Sequence, residues 1–385
     1  MAEEKPTEAA APADAATGAP PEEEGAEGAE GAEGAEATPT AASALSASAK
    51  GREAFVLFCG PKHSGKSTVI AHFLNPSKAA DDSTKPTVAL EYTFGRRSNT
   101  ASTTKDIAHM WELGGGTHLS ELLSVPLTPQ RLPSAVVVVV VDMSKPGNVL
   151  DDLLTWLELV QTRIQECTDK IKRSSPAKYE DLVSKARARV GLTDEHPDSR
   201  VLEPSIVPLV IVCAKYDEFH DQESARRKPL MQALRYVAHV HGATLICLHR
   251  REKTLLAHFR ALLNHFVFGT EKKRSVSLDL TKPMLVQSGA DSLESIGAPP
   301  GATLADVSDG PLSARMAPWK RAVAAYFPPT ETEADEDKRA EDEAARWTEP
   351  TVDSMRAQKA EELQRYVKEA ERKLRLEASK KPGRA

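Results

Sequence analysis

The stretch "CGPKHSGKSTVI", residues 59–70, matches the pattern GxxxxGK[ST] of a phosphate-binding loop, beginning at Gly60. Its surroundings agree with the motif. Ala54–Phe58 is a short apolar run typical of a buried strand, and Lys66–Leu74 has the pattern of a helix. A strand, a glycine-rich loop and a helix in this order predict a fold of the P-loop type.

The loop supplies a set of candidate nucleotide ligands, because its glycines let backbone N–H groups converge on phosphate oxygens at a helix N-terminus. We expect Lys66 to reach the β- and γ-phosphates and the Ser67 hydroxyl to ligate Mg²⁺. The residues predicted to contact the phosphates are Gly60, His63, Ser64, Gly65, Lys66, Ser67 and Thr68.

Outward from the loop, short apolar runs alternate with helical patterns, as in an α/β domain with a mostly parallel sheet. With the strand before the loop, the runs predict six strands; the other five are Thr87–Phe94, Ile107–Leu113, Ala135–Val141, Val207–Val212 and Ala243–Leu248. Helices are predicted at 149–171, 223–241 and 253–268. Helix 149–171 is longer than a sheet requires, so its apolar stripe serves either core packing or a partner helix.

The predicted domain covers 51–270, with 172–200 as a polar surface insertion. Residues 1–50 contain eleven acidic and two basic residues and few apolar ones, which predicts a disordered acidic low-complexity tail. Residues 271–330 are rich in Pro and Gly with scattered apolar anchors, and we expect an extended segment that packs on the domain or a partner. The charged tail 331–385 is helical by propensity.

A GTPase requires further motifs besides this loop, and the next one along the chain differs from the GTPase pattern. At the end of the third strand, where Asp-x-x-Gly-Gln is expected, the chain has WELGGG at 111–116. Glu112 stands for the Asp that holds Mg²⁺ through water, Gly115 fits the Gly, and Gly116 replaces the Gln. Because Gly116 cannot orient a water, we expect slow or absent hydrolysis. Alternatively, Glu112 is a solvated strand end.

The base-reading element is present in weakened form as VCAKYD at 212–217. Asp217 is placed to accept from the guanine N1–H and 2-amino groups, and Lys215 to stack on the base. Ala214 stands where an Asn would brace the loop, and the CLHR segment after the sixth strand shows no further base-reading residue. Thr87 is placed to close on Mg²⁺. Asp217 is alternatively a helix or turn cap.

Composition excludes several classes of function. The net charge of −6 is carried by the acidic first 50 residues, so the rest is only mildly basic, which argues against nucleic-acid binding. The longest apolar run, Ala135–Val141, is far shorter than the roughly 20 residues of a membrane helix. The four cysteines form no CxxC pair, which is typical of reduced thiols in an intracellular protein.

Five stretches together resemble the dynein light intermediate chain family, and specifically its cytoplasmic dynein 2 branch, over roughly 52–330. They are KPTVALEYTFGRR (85–97), KDIAHMWELGGGTHL (105–119), DMSKPGN (142–148), VPLVIVCAKYDEF (207–219) and LRYVAHVHGATL (234–245). The resemblance implies a Ras-like P-loop domain acting as a non-catalytic adaptor on the dynein-2 heavy chain, in which ATP hydrolysis would occur.

The resemblance further implies that other dynein-2 subunits and intraflagellar transport trains are partners. The implied location is the cytoplasm, the axoneme and basal body of the cilium or flagellum, and the cytoskeleton. No cofactor is required by this reading, and GTP or GDP with Mg²⁺ would be a structural ligand. The alternative function is an active GTP/GDP-dependent switch of the small-GTPase type.

Overall fold

The computed structural model describes residues 51–76, 85–98, 105–271, 276–279, 282–330 and 349–380. Its centre is one seven-stranded sheet in the order β2-β3-β1-β4-β5-β6-β7. The strands are β1 Glu53–Cys59, β2 Leu90–Ser98, β3 Lys105–Leu113, β4 Ala135–Asp142, β5 Leu209–Ala214, β6 Thr244–Cys247 and β7 Leu285–Val286. Neighbours from β3 to β6 are parallel, whereas β2 and β7 run antiparallel at the two edges.

Helices cover both faces of this sheet. They are α1 Lys66–Leu74, α2 Val149–Ser174, α3 Pro176–Val190, α4 Tyr216–His220, α5 Ser224–Val240, α6 Lys253–Phe268, α7 Leu293–Ile296, α8 Leu304–Ser308, α9 Leu312–Ala324 and α10 Pro350–Lys380. Two short 3₁₀ helices, Thr117–Ser124 and Leu132–Ser134, connect β3 to β4. The predicted α/β class with a mostly parallel sheet is confirmed, but the sheet has seven strands rather than six.

The core has two layers because alternate residues of each strand point to opposite faces of the sheet. In β4, Val137 and Val139 join the cluster packed by α2 and α5, while Val138 and Val140 join the cluster packed by α1 and α6. All eight residues of β4 are buried. This central strand is therefore apolar on both sides, as the unbroken valine run predicts.

The segment predicted as a polar insertion, 172–200, contains the helix α3, which the sequence analysis did not predict. Leu182, Ala186 and Val190 recur every four residues and are buried, while the remaining positions are mostly exposed and half of them are charged. Gly191 ends the helix in the left-handed conformation at φ 70°. Four-residue spacing of small apolar residues produces too narrow a stripe to stand out from the surrounding charges.

Residues 282–330 pack on the domain and are partly helical, which differs from the extended segment predicted. Arg235 of α5 makes a bidentate ion pair with Asp291, at 2.8 and 2.7 Å, and both side chains are buried. Trp319 of α9 is fully buried and lies against Tyr236. The segment ends near the loop after β4, where the Thr330 backbone N–H donates to Asn148 at 2.9 Å.

The acidic tail 1–50 lies outside the described residues, as do 331–348 and 381–385. Within the predicted helical tail, α10 is described, and its large apolar side chains as far as Val367 are between 46 and 72% exposed. These exposed side chains are Val352, Met355, Leu363, Tyr366 and Val367.

Candidate functional site

The phosphate-binding loop lies at the carboxyl end of the sheet, between β1 and α1. Gly60 has φ 138°, and a Cβ atom there would lie 2.1 Å from the Val140 carbonyl oxygen of β4. Gly65 has φ 96° and precedes the first residue of α1. Only glycine readily adopts these positive φ angles, and only glycine lacks the Cβ atom that would clash at position 60. The two glycines of the motif are therefore required by the backbone itself.

The Lys66 side chain folds back onto the loop that precedes it. Its Nζ donates to the carbonyl oxygens of Gly60 at 3.0 Å and Pro61 at 2.7 Å, and the residue is only 5% exposed. A buried ammonium needs such partners, because an unpaired charge is strongly disfavoured away from water. The contact places the cation at the mouth of the loop, where a phosphate would add a further acceptor.

Ser67, Glu112 and Thr87 come together as the predicted Mg²⁺ set. The Ser67 hydroxyl donates to Glu112 Oε1 at 2.6 Å, and Thr87 Oγ1 donates to Glu91 at 3.1 Å. Burial raises the pKa of Glu112 above its ordinary value, while the hydrogen bond from Ser67 and the charge of Lys66 oppose that shift. Both hydroxyls keep lone pairs, so Ser67, Thr87 and the Glu112 carboxylate offer oxygen atoms of the kind that Mg²⁺ prefers.

A cavity of about 520 Å³ collects most of the predicted phosphate ligands. The predicted residues in its wall are His63, Gly65, Lys66, Ser67, Thr68, Thr87, Glu112 and Lys215; Lys62 and Lys85 join them and were not predicted. Gly60 and Ser64 do not line it, and the fully buried Ser64 hydroxyl has no hydrogen-bond partner among the described residues. Four lysines and a helix N-terminus in one concave wall are suited to an anionic ligand.

Beside it lies a smaller cavity of about 260 Å³, which contains the predicted base-reading residues. Gly65, Thr68 and Lys215 belong to both cavities, so the two are adjacent. Asp217 and Arg250 line the smaller one; Arg250 comes from the segment in which no base-reading residue was predicted.

Two residues that contact the base-reading side chains were not predicted from the sequence. Asp142, at the end of β4, accepts from Lys215 Nζ at 2.5 Å, and His249 Nε2 lies 3.5 Å from an Asp217 carboxylate oxygen. Lys215 itself has φ 54°, a left-handed conformation uncommon for a lysine. The available signal was positional, because Asp142 ends β4 and His249 comes shortly after β6, and parallel strands end at the same edge of the sheet.

Two positions of this arrangement differ from those of a hydrolysing GTPase. Gly116 presents no side chain with which to orient an attacking water, and Ala214 cannot brace the base-reading loop. Across the described ranges no group of three or more His, Cys, Asp or Glu side chains is arranged to hold a metal ion. In the same ranges, no helix combines the length and the apolar character needed to cross a membrane.

Comparisons with known proteins extend the resemblance seen in the sequence. The family model "Dynein light intermediate chain (DLIC)" matches residues 35–199. Cytoplasmic dynein 2 light intermediate chain 1 of Danio rerio is 37% identical over 316 residues, covering 82% of this chain and 85% of that protein. The Homo sapiens protein of the same name is 37% identical over 318 residues, with 82% and 87% covered.

More distant matches carry the same family name. Cytoplasmic dynein 1 light intermediate chain 1 of Dictyostelium discoideum is 28% identical over 112 residues, 29% of this chain and 22% of that protein. The crystal structure of the dynein light intermediate chain's conserved domain superposes with a TM-score of 0.48 at 17% identity, over 73% of this chain and 94% of that one. The assignment rests on the sequence relatives: this chain belongs to the dynein light intermediate chain family.

Proposed function

We propose that this chain is an accessory subunit of the cytoplasmic dynein 2 motor. In this role it binds and stabilises the heavy chain and so supports retrograde intraflagellar transport and cilium assembly. The observation that carries the proposal is the 37% identity over 82% of the chain to proteins named cytoplasmic dynein 2 light intermediate chain 1. The dynein 1 relative, in contrast, matches over only 29% of the chain.

The proposed role is not catalytic. Motor force would come from ATP hydrolysis in the heavy chain. The lack of a side chain at Gly116 and the methyl group at Ala214 support a domain that does not need to hydrolyse GTP. Other dynein-2 subunits and the transport trains are the remaining partners. The proposed sites of action are the cytoplasm, the basal body and the axoneme of the cilium.

Co-purification tests this role directly. The full chain, carrying an affinity tag, would be co-expressed with dynein-2 heavy chain and, as the matched control, with dynein-1 heavy chain. We expect stoichiometric recovery of the dynein-2 heavy chain and little of the other. In ciliated cells lacking the protein, we expect short or bulged cilia with stalled returning cargo. Normal retrograde transport in such cells would contradict the proposal.

A second candidate is a GTP/GDP-dependent switch, and one observation favours it: the predicted phosphate and Mg²⁺ ligands line one cavity. Purified protein would be denatured and the released nucleotide identified. Stoichiometric GTP or GDP, together with heavy-chain affinity that differs between the two, supports the switch. Absence of nucleotide, or a Lys66→Ala variant that assembles normally, rules it out and leaves the accessory role standing.

A further inference from the structure

A third cavity, of about 940 Å³, lies between α2, α3 and α9, on the sheet face that α2 and α5 cover. None of its lining residues belongs to the phosphate or base cavity. Its walls are mainly apolar and include Leu157, Ile164, Val183, Leu202 and Met316. Ligand sites in proteins typically enclose about 300–1,000 Å³ with walls of this kind.

Three side chains of this wall carry buried polar atoms with no hydrogen-bond partner among the described residues. They are the amide nitrogen of Gln161, the hydroxyl of Ser205 and Nε2 of His241. Ser205 is 4% exposed and His241 is 7% exposed, and the Ser205 backbone N–H donates to the His241 carbonyl oxygen at 3.0 Å. A buried polar atom left unpaired costs about 1–3 kcal/mol, so three in one wall require a cause.

The charge of the wall indicates that the missing partner is neutral. Burial lowers the pKa of His241 to about 4, so its imidazole is uncharged at neutral pH. The cationic side chains of the wall already have anionic partners: Arg187 pairs with Asp194 at 2.8 Å and Lys320 with Asp151 at 2.6 Å. Of the acidic side chains of the wall, Glu158 is exposed and Glu203 pairs with Arg315, so no buried charge among the described residues of this wall is left unpaired to call for an ion.

We propose that this cavity is a binding site for an uncharged ligand that joins an apolar ring to a hydrogen-bonding head, as a phenol or an indole does. The ring would lie against the apolar wall, and the head would pair with Gln161, Ser205 and His241. Water would satisfy the same polar atoms but would leave the apolar surface wet. The ligand's source is either a free small molecule or the tyrosine or tryptophan side chain of a protein partner.

The test uses the full chain and 2-naphthol, whose fluorescence reports transfer out of water. We expect saturable binding, and about fivefold weaker binding of 2-methylnaphthalene, which lacks the head, and of anionic naphthalene-2-sulfonate. Ala317 and Ala314 are both exposed on α9, but only Ala317 lines the cavity. Ala317→Trp should therefore abolish binding, while Ala314→Trp should leave it unchanged.

A second variant separates the polar head from the apolar wall. Ser205→Ala removes one unpaired hydroxyl, so the free protein should melt at the same or a higher temperature while binding 2-naphthol about threefold more weakly. Failure of 2-naphthol to bind saturably, or equal binding by wild type and Ala317→Trp, would overturn the proposal. Displacement of the probe by dynein-2 heavy chain identifies a partner side chain as the source; retention identifies a free small molecule. The site does not depend on the proposed motor role.

Discussion

At the scale of single residues, the phosphate-binding loop depends on how closely two strands approach each other. Gly60 follows the end of β1 directly, and its Cα faces the backbone of β4 with no space for a side chain. Lys66 then closes the loop by donating to Gly60 and Pro61. The motif therefore connects β1 to β4 and α1 structurally as well as forming a candidate ligand site, and it retains that structural role without any nucleotide.

Gly60→Ala should accordingly destabilise the fold, whether or not nucleotide is present. The new Cβ would lie 2.1 Å from the Val140 carbonyl oxygen, and φ 138° is strained for any L-residue. Such strain costs about 1–3 kcal/mol before the backbone clash is added. Urea denaturation followed by circular dichroism should show a free energy of unfolding lowered by more than about 2 kcal/mol.

Gly191→Ala provides the matched control. Gly191 also has a positive φ, 70°, but no atom lies within 4 Å of the position that its Cβ would occupy. The cost should be the left-handed backbone alone, about 1 kcal/mol. Equal losses for the two variants would contradict the close approach of β1 and β4.

The residues of the candidate site were largely predictable at this scale, because one contiguous glycine–lysine–serine motif determines where most of them lie. His63, Lys66 and Ser67 came from one motif and line one cavity. Asp142 and His249 were missed because each acts on a residue of another loop, at distances of 2.5 Å from Lys215 and 3.5 Å from Asp217. Pairings between loops depend on strand order, which a single sequence does not state.

At the scale of elements, long buried strands were predictable and short or narrow ones were not. The unbroken valine run of β4 is typical only of a buried strand. β7, in contrast, comprises only Leu285–Val286 and is too short to show an alternating pattern. Helix α9 was hidden by Pro318 and by alanine-rich, charged surroundings, although Trp319 is fully buried. Tertiary packing, rather than local pattern, determines these elements.

The attachment of residues 282–330 should depend on the ion pair of Arg235 and Asp291. Asp291→Asn would leave a buried guanidinium without its counter-charge, which typically costs about 3–5 kcal/mol. We expect a loss of this order in urea denaturation. The exposed pair of Lys185 and Asp181 is the control, and Asp181→Asn should cost less than about 1 kcal/mol. Similar effects of the two substitutions would show that the segment is held by its apolar contacts alone.

At the scale of the whole molecule, two buried histidines make the fold sensitive to acid. Burial lowers the pKa of His241 from 6.5 to about 4; Glu203 opposes this shift and Arg315 reinforces it. Burial also lowers the pKa of His239, against the effect of Asp198. The unfolded chain therefore binds more protons than the folded one between these values. The stabilisation is present above about pH 6.5 and is lost as the pH falls towards 4.

His241→Gln isolates this contribution. By linkage the wild type should lose up to about 3 kcal/mol between pH 7 and pH 4 through His241, and the variant should lack that part of the slope. Urea denaturation at several pH values measures both curves, and carboxylate titration, which is common to both proteins, cancels in the difference. Parallel curves for wild type and variant would contradict a neutral, buried His241.

Removal of α10 should leave the domain intact. The described side chains of 349–369 are exposed, so a chain ending at Glu349 loses little of the apolar burial that the structure describes. We expect its free energy of unfolding to stay within about 0.5 kcal/mol of the full chain. Calorimetry of the two proteins checks this, and a clear fall in melting temperature would reveal packing of α10 on the domain.

The position of β7 also governs when this protein can finish folding during its synthesis. β6 ends at Cys247, but its edge partner and the buried Trp319 and Phe327 come up to about 80 residues later. Because β7 begins about 38 residues after Cys247, at about 5–20 residues per second the ribosome would expose an unpaired sheet edge for roughly 2–8 s. During that interval the nascent chain presents a ready template for wrong pairing, so chaperone contact is expected to concentrate on this stage of translation.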